Sequence, residues 1–264
     1  MLLLDKIAII YGAGGAIGSA VAKKFGCEGA KLFLTGRSKA DLDKVAKEIN
    51  AAGGFAETAQ VDALDEQAVE QHLKMVIEKA GRIDISFNTV GVPNTKNILG
   101  VPLVEMDVEQ FSLPIATYTR SYFLTARIAA RWMLPNKSGV IMRVTALPSR
   151  TGIPLLGGYG PAMAALEALT RALSAELAPH GIRVVGLRPQ AMPETRTIKE
   201  AYEPRAQATG MTWEQWQAFL ASRTHSRRLM TLIEMADMAA FMASDRASCM
   251  TGTILNLTMG SVDD

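Results

Sequence analysis

Histidine, cysteine and tryptophan are scarce in this chain: three, two and three of its 264 residues. The few histidines and cysteines show no metal-ligand spacing, so no metal is expected. His72 and His180 read as solvated or capping side chains. His225 reads either as an exposed loop histidine or as a substitute acid. Cys27 and Cys249 stand far apart in helical or near-helical contexts, which predicts two buried thiols rather than a disulfide. Charge of one sign is also lacking. A formal net charge of +2 gives no reason to expect nucleic acid or an anionic membrane as partner. No uninterrupted apolar stretch is long enough to span a bilayer. The opening Met1-Leu2-Leu3-Leu4-Asp5-Lys6 has neither the basic region nor the long apolar run of a signal peptide, so a cytoplasmic location is expected.

What the chain does have is apolar residue, 48% against 20% charged, which suits one compact α/β domain over residues 1–264. Ile7-Ala8-Ile9-Ile10 is a short apolar run that closes on Gly12-Ala13-Gly14-Gly15-Ala16-Ile17-Gly18, and a helix follows to Glu28 with Gly29 as its stop. Further strands are predicted over 31–35, 55–61, 83–88, 140–145, 182–187 and 253–257. Helices between them are predicted to end at Ala52 after a Ser38/Asp41 cap, and over 66–80, 123–133 and 234–243, with Pro114 interrupting the third just before it begins. Seven apolar strands separated by helices argue for a parallel sheet covered on both faces, a doubly wound α/β fold of three layers. The longest irregular region, about 190–228, holds a helix opened by a Thr212/Gln215 capping box, with Trp213, Trp216 and Leu220 on one face. Two readings of that insertion stay open, a substrate lid and a helix packed on the core.

The helix that begins near Pro161 carries the most information. Leu166, Leu169, Leu173 and Leu177 form one apolar stripe, and Ala165, Ala168, Ala172 and Ala175 a second stripe of small residues, so burial on both sides is expected. Glu167 and Arg171 read as an i,i+4 pair on what remains. Pro179-His180-Gly181 stops the helix. The run from Tyr159 to Pro189 resembles the active-site helix and following strand of the short-chain dehydrogenase/reductase family, and the resemblance extends over nearly the whole chain, including Arg227-Arg228-Leu229 and Thr251-Gly252.

The resemblance implies a Rossmann-type dinucleotide-binding domain. A glycine-rich turn between the first strand and helix lets backbone N–H groups and the helix dipole meet a pyrophosphate. The family's Thr-Gly-x-x-x-Gly-x-Gly is Tyr11-Gly12-Ala13-Gly14-Gly15-Ala16-Ile17-Gly18 here. Gly12 and Gly18 match, Ala16 replaces the middle glycine, and Gly14 and Gly15 offer compensating backbone freedom. Where relatives that prefer NAD(H) place an acid, this chain has Gly36-Arg37-Ser38, which favours NADP(H) over NAD(H). Asp62 matches the adenine-contacting position, Asn88 and Gly91 the ends of the Asn-Asn-Ala-Gly turn, and Pro189-Gln190 the family's Pro-Gly.

The catalytic positions match less well. The family's tyrosine exchanges a proton with the substrate oxygen. A lysine four residues on lowers the tyrosine pKa, a serine thirteen residues before it holds the substrate oxygen, and an asparagine on the preceding helix organises a relay water. Carried over residue by residue, the tyrosine is Tyr159, the lysine is Met163, the serine is Ala146 and the asparagine is Tyr118. A lone tyrosine titrates near ~10, so only about a thousandth is phenolate at neutral pH. Tyr159 is therefore a poor base and a usable neutral acid. Arg143 sits inside a strand and needs a partner that the sequence does not name. Two functions follow: an oxidoreductase of this family acting weakly or atypically on a small carbonyl or alcohol, or a catalytically silent nucleotide-binding, ligand-binding or assembly protein. The small-residue stripe and the resemblance imply a homodimer or homotetramer.

Overall fold

The computed structural model describes residues 1–92 and 99–262. Seven strands form one parallel sheet: β1 Ile7–Tyr11, β2 Lys31–Gly36, β3 Phe55–Gln60, β4 Ile85–Asn88, β5 Gly139–Val144, β6 Ile182–Pro189 and β7 Ile254–Leu257. Their order is β3-β2-β1-β4-β5-β6-β7, which reverses direction between β1 and β4. That reversal opens a crevice at the carboxyl ends of the strands. The strands are short apolar runs because both faces are covered.

Helices α1 Ala16–Cys27, α2 Lys39–Ala51 and α8 Leu232–Ala243 cover one face, with Val21, Phe25, Leu42 and Met235 packed on Leu32, Phe87 and Val185. Helices α3 Glu66–Ala80, α4 Val108–Met133 and α5 Tyr159–Leu177 cover the other, with Val69, Tyr122, Ala129 and Leu166 against Ile9, Ile141 and Val184. Ser38 caps α2 as expected, accepting from the backbone N–H of Asp41 at 3.4 Å. Asp65 also caps α3, and Gly81 ends it in the left-handed region at φ 78°. The Thr212/Gln215 capping box opens α7 Trp213–Ser222, and a further helix, α6 Arg196–Ala208, precedes it in the insertion. Among the described residues, no helix is long and apolar enough to cross a membrane.

Several expectations need correction. Pro114 does not interrupt α4: Asp107 caps the helix 26 residues before it ends at Met133, and Pro114 lies buried inside it. The helix packs closely on Gly158 at this point, where an added Cβ would stand 1.9 Å from the Phe111 carbonyl oxygen and 3.1 Å from the Pro114 ring. Helix α5 starts at Tyr159, so Pro161 is in its first turn but not its first position; its missing N–H costs nothing there either. Glu167 does not pair with Arg171. It is buried and bound to Arg188 on β6, whereas Arg171 is exposed. The stripe of Ala168, Ala172 and Ala175 faces solvent in the single chain. Both cysteines are exposed, Cys27 because it ends α1 on the outer side and Cys249 because it lies in the loop before β7. His72 is not solvated: it is 5% exposed on the inner face of α3, its Nδ1 has no partner among the described residues, and burial pulls its pKa down to about 4.

Candidate active site

A cleft of about 650 Å³ runs along the carboxyl edge of the sheet. Gly12, Gly14, Gly15, Ile17 and Gly18 line one end of it, after β1, and Arg37, Ser38 and Asp62 line its wall beyond β2 and β3. Gly91 and Pro189 line it from the ends of β4 and β6. Asn88 does not. Its amide is buried and turned under the sheet toward α4, donating to Thr125 at 2.9 Å and accepting from the Val90 N–H at 3.0 Å.

The glycine loop is tight for a reason. Gly12 has φ +77°, and a Cβ added at Gly18 would stand 2.4 Å from the Gly12 carbonyl oxygen and 2.7 Å from Thr89 Oγ1. Only glycine at both places lets the loop fold under the start of α1. The cap residue of α1, Gly15, brings no side chain to the first-turn N–H groups, and the first turn holds no acid. These open donors and the positive helix end suit a phosphate group. Ala16 lies on the same wall, and Asp41, which the sequence reading did not single out for the site, stands over Gly14. Arg37 is exposed and makes no ion pair among the described residues.

Tyr118, Ala146, Tyr159 and Met163 meet in the same cleft, at its far end. The Tyr118 and Tyr159 rings lie 5.7 Å apart in an edge arrangement, and Tyr118 Oη accepts from the Val92 N–H at 3.4 Å. Burial pushes the Tyr159 phenol well above its ordinary pKa, with Tyr118 and Tyr202 adding to the rise and Arg143 opposing it. Met163 is buried and brings no charge.

The hydroxyls that flank Ala146 are engaged elsewhere. Thr145 donates to Glu167 Oε1 at 3.2 Å and Ser149 to the same oxygen at 2.5 Å. Arg188 grips that carboxylate through Nε at 2.8 Å and a terminal nitrogen at 3.0 Å, and both side chains are almost fully buried, at 2% and 3% exposure. Burial pushes the Glu167 carboxyl up, but Arg188, Ser149 and Thr145 outweigh it and hold the group below the usual carboxylate range. The network ties the loop after β5 to α5 and β6, and both hydroxyls are engaged in it.

Arg143 finds different company. It aligns across the sheet with Asn88 and Tyr11, and all three side chains point toward α4. It donates to both the backbone and side-chain oxygens of Asn88 and, at 2.9 Å, to the Val90 carbonyl. Its guanidinium carbon stands 5.3 Å from the centre of the Tyr118 ring. The only hint of this site in the sequence was a charged residue inside an apolar strand.

The insertion closes the cleft with α6 rather than α7. Thr195, Arg196, Ile198 and Tyr202 line it, whereas Trp213 and Trp216 do not. Trp216 packs behind, 6.2 Å from Tyr202. His225 is exposed and does not line the cleft. Gln190 faces the cleft, but its amide is held by Ser261 at 2.5 Å and by the Ala191 N–H at 2.8 Å.

Residues 12–261 match a family model described as enoyl-(acyl carrier protein) reductase. An uncharacterized oxidoreductase of Bacillus subtilis (strain 168), YxbG, is 31% identical over 250 residues, covering 95% of this chain and 88% of that one. Among solved structures, an actinorhodin polyketide ketoreductase variant with NADPH superposes with a TM-score of 0.89 at 24% identity, covering 97% of each chain. An NAD+-bound xylitol dehydrogenase does so with a TM-score of 0.90 at 24% identity, covering 98% of this chain and 100% of that one. A glycine-lined crevice at the strand reversal, a tyrosine opening α5 and matches over almost the whole length place this chain in the short-chain dehydrogenase/reductase family of oxidoreductases.

Proposed function

We propose that the protein binds NADP(H) in the cleft and reduces a small carbonyl compound slowly, with Tyr159 as proton donor. The observation that carries this reading is that the open α1 terminus and Tyr159 lie in one continuous cleft. Gly12, Gly14, Gly15, Ile17 and Gly18 would cradle the pyrophosphate, Arg37 and Ser38 the 2′-phosphate, and Asp62, Gly91 and Pro189 the adenine and nicotinamide halves. A bound dinucleotide would supply the hydride. Tyr159 Oη would give its proton to the carbonyl oxygen, a direction that needs only a neutral phenol. With Ala146 in place of a hydroxyl, one donor to that oxygen is missing, a loss of about 2.7–4 kcal/mol in sites of this kind. The buried Met163 and the partly buried Ala146, neither of which brings a charge or a hydroxyl, favour a second reading, a silent dinucleotide-binding member of the family.

Titration with NADPH and NADH, followed by tryptophan fluorescence, tests the first step, since Trp216 packs on a residue that lines the cleft. NADPH is expected to bind more tightly. Arg37→Ala should erase about 1.5–3 kcal/mol of preference, roughly ten- to a hundredfold in affinity. Equal affinities in the unmodified protein would refute the assignment. Reduction assays over a carbonyl panel then separate the two readings: turnover supports the reductase, and binding without turnover the silent member.

The partner we propose is a second copy. The exposed Ala168, Ala172 and Ala175 allow close backbone approach, and the exposed Phe123 on α4 adds apolar surface. Light scattering should give a dimer or tetramer at micromolar concentration, and Ala172→Arg should shift it toward monomer. A monomeric unmodified protein would rule the pairing out.

A further inference from the structure

The cleft contains a cation that no comparison assigns. Two arginines are almost fully buried on the α4/α5 side of the sheet, Arg143 and Arg188, each at 2% exposure. Arg188 is neutralised by Glu167. Arg143 is not: its hydrogen bonds end on neutral oxygens of Asn88 and Val90, and no carboxylate pairs with it among the described residues. Its Nε also has no partner among them. Burying an ion without its counter-charge is expensive, and polar groups alone repay only part of the cost. Burial pulls the guanidinium pKa down to about 10, so it keeps its charge at neutral pH.

The direction in which that charge acts follows from geometry. The guanidinium lies over the Tyr118 ring at 5.3 Å, and the Tyr159 ring centre is 5.7 Å from that of Tyr118 in an edge arrangement. Arg143, Tyr118, Tyr159 and Met163 all line the same end of the cleft. Tyr118 and Tyr202 oppose a phenolate at Tyr159, and Arg143 favours one.

We propose that Arg143, from β5, supplies the positive charge that Met163 on α5 does not, holding Tyr118 against Tyr159 and opposing the negative charge left on Tyr159 Oη. The proposal rests on the carbonyl-reductase reading above. In that step a bound dinucleotide would supply the hydride that forms the C–H bond at the carbonyl carbon as the π bond opens, and would itself be oxidised. The Tyr159 O–H would break and give its proton to the carbonyl oxygen, completing the alcohol. The phenolate left on Tyr159 would regain a proton from solvent. Arg143 is a positioning residue, acting through the Tyr118 ring that it stacks on.

The test is a double-variant cycle between Arg143→Gln, which keeps donors and removes the charge, and Met163→Lys, which places a cation on α5. Two cations at one locus repel, so Met163→Lys should cost less in the Arg143→Gln background. The unfolding constant of the double variant, from denaturant titration, should beat the additive expectation by about tenfold or more. Additivity within twofold would overturn the shared locus, and this readout needs no activity. In carbonyl reduction, Arg143→Gln should lower kcat about tenfold or more with KM little changed, and the double variant should recover most of it. If Arg143→Gln does not fold, Arg143→Lys decides: it should keep kcat within about threefold, and a folded lysine variant that loses tenfold would sink the proposal. If the unmodified protein reduces no carbonyl, the reductase reading fails while the stability cycle still judges where the charge acts.

Discussion

Tyr159→Phe is expected to lower kcat for carbonyl reduction by about 10²–10⁴-fold, the usual contribution of a positioned general acid. The effect should fall on kcat rather than on dinucleotide affinity, because the ring stays and only the proton donor goes. Folding should be little affected, since the hydroxyl makes no hydrogen bond to another described residue and its removal leaves no protein donor or acceptor unpaired. The measurement is steady-state reduction with NADPH beside a denaturation curve of the same variant. An unchanged rate would show that Tyr159 is not the acid. The direction of the reaction matters too. The phenol pKa is raised by burial, so alcohol oxidation, which needs the phenolate, should be much slower than reduction at neutral pH. Reduction by the unmodified protein at an ordinary enzymatic rate, about 10 s⁻¹, would mean that losing the lysine and serine positions costs far less than argued above.

Glu167→Ala should destabilise the fold by about 3–5 kcal/mol, because it removes the carboxylate that neutralises Arg188 and leaves that charge buried. Thr145 and Ser149 lose their acceptor in the same stroke. Urea unfolding with an unchanged slope and a shifted midpoint is the expected signature. A shift under about 1 kcal/mol would show that the pair is compensated from elsewhere. Replacing both partners by apolar residues, Glu167→Leu with Arg188→Met, should cost much less than the single change, since a buried pair exchanged for hydrophobic residues is often close to neutral. The pH dependence has a definite sign. The folded carboxyl is held below its unfolded pKa, so the unfolded state takes up protons first as pH falls. The contribution of Glu167 is therefore complete above about pH 4.3, the ordinary value for a glutamate, and disappears as pH falls through the depressed value. The deficit of Glu167→Ala should shrink in acid over that window.

The sequence by itself determined whatever depends on neighbours along the chain. Apolar runs broken by helices specified seven parallel strands. Ser38 and Thr212 placed helix starts through bonds that span three residues. The spacing from Tyr159 to Met163 and back to Ala146 could be read along the chain because one turn of α5 and one strand-to-helix loop hold those distances constant, and all three line the same cleft. Tertiary structure alone decided which charges meet. Glu167 has Arg171 one turn away, yet binds Arg188, 21 residues on, because strand order puts β6 under that face of α5. Asn88 has a place in a recognisable turn, yet strand register turns its side chain under the sheet to Arg143. Arg143 faces Tyr118 because α4 continues through Pro114 and lies across the ends of β4 and β5. Caps, turns and periodicity act over a few residues, whereas the counter-charge of a buried ion is set by register and layer packing, which no local pattern encodes.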